Sequence, residues 1–515
     1  MRPARLMSVR QDHNSMATYD VDRLDAASER YGGIDPVVSP LASTRSPFRG
    51  GFDGEGNGPN YALNADDRGN VGPNNKQSFT TAEAAAQIGR SGQTWNGSGV
   101  IGQAATITYA FRSSAPATMP DDTAGFTRFN AAQVTQTQRA LQSWSDVGNI
   151  TFTRQAGADG YSNSAQMLFG NYSSGADGAA AFAYYPGAGV GGDVWVNSSI
   201  SYNQSPTVLN YGRHTLTHEV GHALGLGHPG DYNAGTGSPT YANSAVYYED
   251  TRQYTLMSYW SEANTGGNNA GSYAAAPLVD DIAAIQRLYG ANTSTRTGND
   301  VYGFNSTTGR DFYSTASSTT PVIFAVWDAG GVDTLDFSGY TQTQRIDLND
   351  GAFSNVGGLT GNVAIAVGVA VENASGGSGV DTMIGNEFAN TLRGNAGNDV
   401  LDGNAGADAL YGGSGADRFV FDQLSDSRSG AIDRIYDFAS GSDRIDLSVI
   451  DARTNVSGNQ AFTIASSFTG VSGQLIGSYS STTGLATISA DVNGDRVADF
   501  ILYVTGQLTG ADLIL

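Results

Sequence analysis

The sequence predicts an α+β domain followed by an all-β domain wound as a parallel β-roll. Three observations carry that prediction. Helical periodicity is confined to residues before about 290, after which short β-rich runs alternate with Gly/Asp/Asn clusters to the end. Nonapeptides beginning at Gly376, Gly385, Gly394, Gly403 and Gly412 succeed one another without a slip. The 515 residues include 68 Gly, and only eight of the 49 acids are Glu. A chain so rich in Gly and Asp favours turns and oxygen-ligand cages over long solvent-facing helices.

Residues 1–77 read as a leader and an irregular N-terminal region, with turn chemistry throughout 50–60. The α+β domain is expected over 78–292. Its first helix begins near Thr80, where Glu83 three residues on completes a capping box. Residues 106–111 read as a strand. Residues 131–147 read as a helix, because Val134, Ala140, Leu141, Trp144 and Val147 recur near helical spacing. Short strands follow at 150–152, 166–169, 181–185 and 193–196, then a second helix at 215–226. Pro277 opens a third, with Leu278, Ile282, Ile285 and Leu288 on one face and Gly290 closing it. The β-roll domain is expected over 293–515.

Several function classes are excluded at this stage. A net charge of −22 argues against a nucleic-acid partner or an anionic membrane and invites divalent cations. The absence of cysteine removes a disulfide framework, a thiol nucleophile and Cys-type zinc sites. No apolar run is long enough to span a membrane. The first twenty residues lack an apolar core region, so a standard secretory signal is not expected.

Four of the five histidines fall within fifteen residues: His214, His218, His222 and His228. On a helix, His218 and His222 stand one turn apart on one face, so both imidazoles can reach one metal. Neutral imidazole suits Zn²⁺, and a catalytic site takes three protein ligands and keeps one position open. Glu219 sits beside the same metal as the general base for an attacking water. Gly225 and Gly227 allow a sharp turn that brings His228 round as third ligand. His214, with three ligands already present, reads as a hydrogen-bonded structural histidine.

The eleven residues from His218 to His228 spell HExxHxxGxxH, and with Pro229 they resemble the metzincin metalloproteases, among them the serralysins. Leu256-Met257-Ser258-Tyr259-Trp260 is similar to the serralysin Met-turn, and His228–Gly235 and Glu249–Tyr254 also look like serralysin sequence. The resemblance runs from about Tyr19 to the end and fits poorly over 30–60. It implies a metzincin-like α+β catalytic domain, a zinc endopeptidase activity on extracellular proteins or peptides, and one catalytic Zn²⁺. It also implies that Met257 floors the metal, and that Tyr259 is both a switchable zinc ligand and a stabiliser of the oxyanion. A pro-segment ending near Tyr19, an RTX-type calcium-binding domain and a proteinaceous inhibitor are further implications. So is secretion by a type I ABC exporter through an uncleaved C-terminal signal ending Asp512-Leu513-Ile514-Leu515. The chain is expected to act as a monomer.

The repeats follow GGxGxDxUx with U apolar. Six residues turn and three form a short strand; two nonapeptides make one coil. Position six is Asp381, Asn390, Asp399, Asp408 and Asp417, and position eight is Met383, Leu392, Leu401, Leu410 and Phe419. Loops two repeats apart lie side by side, so carboxylates and backbone carbonyls form oxygen cages suited to structural Ca²⁺. The candidate ligands are Gly377, Gly379 and Asp381; Gly394, Asn395, Ala396, Gly397 and Asp399; Asp408; and Gly412, Ser414 and Asp417. Asn386, Asn395 and Asn404 replace glycine at position two, where asparagine tolerates the left-handed region. Phe388 and Asn390 make the second repeat the weakest cage. The family resemblance adds Arg296, Gly298 and Asp300 acting with Asp328, Gly330 and Asp333, and Gly331 and Asp333 acting with Ala370 and Glu372. Residues 491–495 form an Asp/Asn turn that reads as a calcium loop or a plain β-turn. The alternative to an enzyme is a non-enzymatic calcium-binding extracellular or surface protein with a vestigial front domain.

Overall fold

The computed structural model describes residues 61–120, 123–173, 179–232 and 239–515. The predicted leader, the pro-segment boundary and the turn-rich 50–60 stretch lie outside the described residues.

The first half is a six-stranded sheet with helices packed on it. Helix α1 (Thr81–Ile88) starts at the expected Thr80, whose side chain accepts from the Glu83 amide while the Glu83 carboxylate accepts from the Thr80 amide. Strands β1 (Ala105–Phe111), β3 (Ile150–Arg154), β4 (Met167–Ser173) and β6 (Val194–Asn197) run parallel. Strand β2 (Ala124–Thr127) lies antiparallel to β4, and β5 (Ala181–Ala183) antiparallel to β6. The order is β3-β1-β4-β6-β5, which leaves β5 as an edge. The strand expected over 181–185 stops at Ala183 because the chain turns at Pro186 toward Gly192, whose amide returns to the Tyr184 carbonyl at 3.1 Å.

Helix α2 (Ala131–Val147) has the bounds expected from its periodicity. After α3 (Ser201–Gln204) comes α4 (Tyr211–Ala223), which starts four residues earlier than expected because the Asn210 side chain caps it. It also stops three residues earlier than expected, at a left-handed Gly225 (φ +105°). Trp144 of α2 donates to the Thr217 carbonyl at 2.9 Å and ties α2 to α4. After α5 (Tyr241–Ser244), α6 (Val279–Tyr289) packs against α1, burying Ile282, Ile285 and Leu288 as expected.

Residues 61–77 are irregular but not loose. Arg68 is buried and grips Asp280 of α6 with two nitrogens, at 2.7 and 3.0 Å, with Glu249 3.7 Å away. The same stretch reaches the second half, where the Ala65 amide donates to Gly351 and Asn64 accepts from Phe353. Replacing Arg68 with Met strands two buried carboxylates. The expected cost is about 3–5 kcal/mol of stability, read as a lowered denaturation midpoint; an unchanged midpoint would refute the role given to this pair.

From Val301 onward the regular elements of the described residues are short strands joined by turns, apart from the single 3-10 turns Asp311–Tyr313 and Gly510–Asp512. Strands Arg345–Asp347, Thr382–Ile384, Val400–Asp402, Arg418–Val420 and Arg444–Asp446 stack in parallel as one layer. Asn373–Ser375, Thr391–Ala396, Ala409–Ser414 and Asp433–Ile435 stack as a second. Within the repeats the partners are Thr382, Val400 and Arg418, and Thr391 and Ala409, so each step is two nonapeptides. Alternate repeats therefore feed opposite layers, and Met383, Leu392, Leu401, Leu410 and Phe419 are all fully buried between them. Antiparallel strands Gln474–Ser480, Leu485–Asp491 and Phe500–Thr505 extend the second layer.

Candidate metal and catalytic centre

Helix α4 carries His218 and His222 one turn apart, and the turn at Gly225 returns His228 to them. The ligand atoms of the three side chains lie within 4.8 Å of one another. Nε2 of His228 is 3.1 Å from Nε2 of His222 and 3.3 Å from Nε2 of His218. Nδ1 of His218 faces the Leu256 carbonyl and Nδ1 of His222 the Leu226 carbonyl, each at 2.7 Å. A carbonyl only accepts, so both Nδ1 atoms carry the proton and both Nε2 atoms present bare lone pairs. Burial pushes His218 down to about 4 and holds His222 and His228 well below the usual histidine range. The bare lone pairs of His218 and His222 converge on Nε2 of His228, an arrangement that a cation between the three rings satisfies. The donor set fits zinc, with the carbonyls fixing the tautomers.

Glu219 is fully buried, and among the described residues neither carboxylate oxygen has a hydrogen-bond partner. Burial pushes its carboxyl well above the usual range. An unpartnered buried carboxyl is costly and survives where a ligand supplies the missing partner. Met257 is buried against α4, where a Cβ at Gly221 would stand 2.7 Å from its sulfur. The glycine between the two helical histidines thus admits the Met-turn. The Tyr259 ring lies 4.3 Å from His228 and 6.5 Å from His218, with burial first and Glu219 second raising its phenol well above the ordinary value. His214 turns away: its Nδ1 faces the Ala274 carbonyl at 3.1 Å, and its ring stacks on Tyr211.

The structure gathers the predicted oxygen ligands into two groups. Asp300, Asp328 and Asp333 bring carboxylate oxygens within 4.8 Å of one another. Asp333 Oδ1 accepts from the Asp300 amide, Asp328 Oδ1 from the Gly330 amide, and Glu372 from the Asp333 amide. Arg296 is left-handed, and a Cβ at Gly331 would lie 2.1 Å from the Gly298 carbonyl. Ala370 precedes Glu372 by two residues in the same connection.

In the repeats each carboxylate links to the coil before it. Asp399 Oδ1 accepts from the Asp381 amide, Asp408 from Asn390 and Asp417 from Asp399, at 2.7–2.9 Å. Among the described residues, the second oxygens of Asp399, Asp408 and Asp417 are buried without partners. Asp381 is instead satisfied at both oxygens, Oδ2 by the Gly377 amide. The Ala396 amide donates to Gly377, the Gly397 amide to Ser414, and Asn395 reaches the Gly376 carbonyl. A Cβ on Gly397 would meet the Gly379 carbonyl at 2.0 Å, and one on Gly394 the Gly412 carbonyl at 2.6 Å.

Asn395 and Asn404 are left-handed as expected, but Asn386 is not. Its amide instead spans the Leu348 and Val371 carbonyls, each at 2.9 Å, which an extended turn permits. At Asn390 the amide nitrogen donates to the Glu372 carbonyl and to Asn386, so a donor stands where Asp399, Asp408 and Asp417 offer a bare oxygen. Asp491 accepts from the amides of Asn493, Gly494 and Arg496, a turn that satisfies itself.

Sequence reasoning missed Asp433 and Asp443. Asp433 accepts from the Asp408 amide and Asp443 from the Asp417 amide, continuing the same ladder, with Asp433 Oδ2 again unpartnered. Their spacing of 25 and 26 residues, instead of 18, hides them from a nine-residue period.

Comparison with known proteins fits this geometry. Residues 103–248 match the family model described as Matrixin, and residues 291–515 the one described as Peptidase M10 serralysin C terminal. Metallopeptidase AprA of Pseudomonas marginalis is 53% identical over 460 residues, covering 87% of this chain and 93% of that protein. Serralysin C of Dickeya chrysanthemi is 50% identical over 478 residues, covering 92% and 97%. Metalloprotease AprA of Pseudomonas entomophila is 51% identical over 463 residues, covering 87% and 93%.

Proposed function

The chain belongs to the serralysin family and is a zinc metalloendopeptidase, and from that premise we propose how its residues divide the work. His218, His222 and His228 hold the zinc, with Tyr259 as a fourth, displaceable protein ligand. When bound, zinc supplies Lewis acidity that polarises the scissile carbonyl and acidifies the attacking water. Glu219 takes the proton from that water and delivers it to the leaving amine nitrogen. The Tyr259 hydroxyl, swung aside, donates to the developing oxyanion. The substrate lies extended along β5, the last strand in the sheet order, and adds to it as a further strand.

One observation carries this reading: a buried carboxylate without a partner among the described residues stands on α4 beside His218 and His222, where the ligand nitrogens of three imidazoles converge. The non-enzymatic alternative leaves that arrangement without a purpose, and the relatives do not support it. Casein hydrolysis that a zinc chelator abolishes and added zinc restores is the direct test. In the same assay Tyr259→Phe should reduce kcat at least tenfold with KM nearly unchanged, because a hydroxyl used only in the transition state does not contribute to ground-state binding. Wild-type kcat in Tyr259→Phe would remove the tyrosine from the mechanism.

The second half we read as a parallel β-roll whose cages bind Ca²⁺, weakest at Asn390. The unpartnered oxygens of Asp333, Asp399, Asp408, Asp417 and Asp433 support it. We read the boundary between the units at 292/293, which the family match beginning at residue 291 supports. Protein substrates follow from the activity. Secretion through a type I exporter by the C-terminal segment, and a proteinaceous inhibitor, remain expectations from family resemblance. Among the described residues no helix is long and apolar enough to cross a membrane.

A further inference from the structure

His218 and His222 are fixed twice, by the helix that carries them and by a carbonyl on each Nδ1. His228 has neither support. It lies beyond the helix, and among the described residues its Nδ1 makes no hydrogen bond. Its position is therefore set through its backbone. The turn that carries it leaves carbonyls without helical partners, and the segment leaving α1 supplies what they lack. Ser91 Oγ donates to the Gly225 carbonyl at 2.8 Å, and Gln87 Nε2 to the Pro229 carbonyl at 2.8 Å. The Gly227 amide donates in turn to the Ile88 carbonyl at 2.7 Å.

Arg90 makes the most direct contact. Its Nη1 donates to the carbonyl of His228 itself at 2.6 Å and to the Gln87 carbonyl of α1 at 2.9 Å. A Cβ at Gly227 would lie 3.3 Å from that nitrogen, so the glycine makes room for the guanidinium against the turn. Nη2 reaches Asp231 at 2.7 Å, but that carboxylate is 88% exposed, and such a pair contributes little.

We propose that Arg90 is a positioning residue for the metal centre, clamping the His228 carbonyl to the end of α1 so that the third imidazole meets the metal. This rests on the reading of His228 as a zinc ligand. Partners that orient metal ligands typically account for 10–100-fold in metal affinity or activity.

The test measures the rate at which the zinc-loaded full chain loses its metal to a chelator, with thermal unfolding of the zinc-loaded and zinc-free forms alongside. Arg90→Gln should lose zinc about 10–100-fold faster and bring the zinc-loaded unfolding temperature closer to the zinc-free one. Arg90→Lys, which keeps one donor, should fall between Arg90→Gln and wild type. Asp231→Asn should behave as wild type. Wild-type zinc loss in folded Arg90→Gln, or in Arg90→Lys if the glutamine variant does not fold, overturns the proposal. Equal acceleration by Asp231→Asn also overturns it, since the exposed ion pair and not the clamp would then be the cause. A His228→Ala control separates the two readings. If it keeps zinc as wild type does, the ligand assignment falls; if it loses zinc while Arg90→Gln does not, only the clamp falls.

Discussion

Glu219→Ala should lower peptide hydrolysis by roughly 10²–10⁴-fold while the protein still carries its zinc. The carboxylate is carried on α4 next to His218, but the three histidines complete the protein ligand set that zinc needs. Removing it therefore removes a proton acceptor and not a ligand. His222→Ala should behave differently, losing the metal together with the activity. A second signature follows from burial. Among the described residues both oxygens of Glu219 lack partners in a fully buried setting, so the wild-type side chain costs folding free energy that alanine does not. The zinc-free Glu219→Ala protein should unfold at or above the temperature of the zinc-free wild type. Hydrolysis persisting in metal-analysed Glu219→Ala would refute the base assignment.

Glu219 and the histidines were legible in the sequence because their signal is local. Periodicity is a local signal, and it placed α2 at 131–147 because the buried face of that helix repeats within the helix itself. The eighteen-residue pairing of the repeats was legible for the same reason. The zinc ligands were legible because they sit within eleven residues. Strand β2 was not: its four residues, Ala124–Thr127, are mostly exposed and carry no alternation. Arg68 and Arg90 were not, because their partners are 212 and 138 residues away, and nothing in a single arginine announces them. Asp433 and Asp443 fell between the two cases. They occupy repeat-like positions, but the insertion after Phe421 breaks the nine-residue count that would have exposed them.

Calcium and protons should act as alternative stabilisers of the repeat region. In the calcium-free protein the free oxygens of Asp399, Asp408 and Asp417 are buried near other carboxylates. Burial, with Asp381 and Asp417 alongside, pushes Asp399 up to about 7, and Asp408 and Asp433 are raised as well, by burial first and neighbouring aspartates next. A carboxyl whose folded value lies above its unfolded value of about 3.9 binds its proton more tightly when folded. Its stabilisation is complete below about pH 4 and is lost as pH rises through the folded value. For Asp399 that window runs from about 4 to about 7, and the other raised carboxyls add to the loss in the same direction. Without calcium, the Gly376–Val420 coils should therefore be more stable at pH 5 than at pH 8, and largely unfolded at pH 8, where like charges face one another across adjacent turns. Calcium binding only the folded cage reverses this, because its binding free energy becomes folding free energy. The measurement is far-UV circular dichroism of the full-length Glu219→Ala chain, which cannot digest itself, at both pH values with calcium and then with chelator. The β signal should need calcium at pH 8 and survive chelation better at pH 5. A signal equally resistant to chelation at both pH values would show that the buried aspartates do not oppose folding, and the cages would lose their role as the switch between an unfolded and a folded second half.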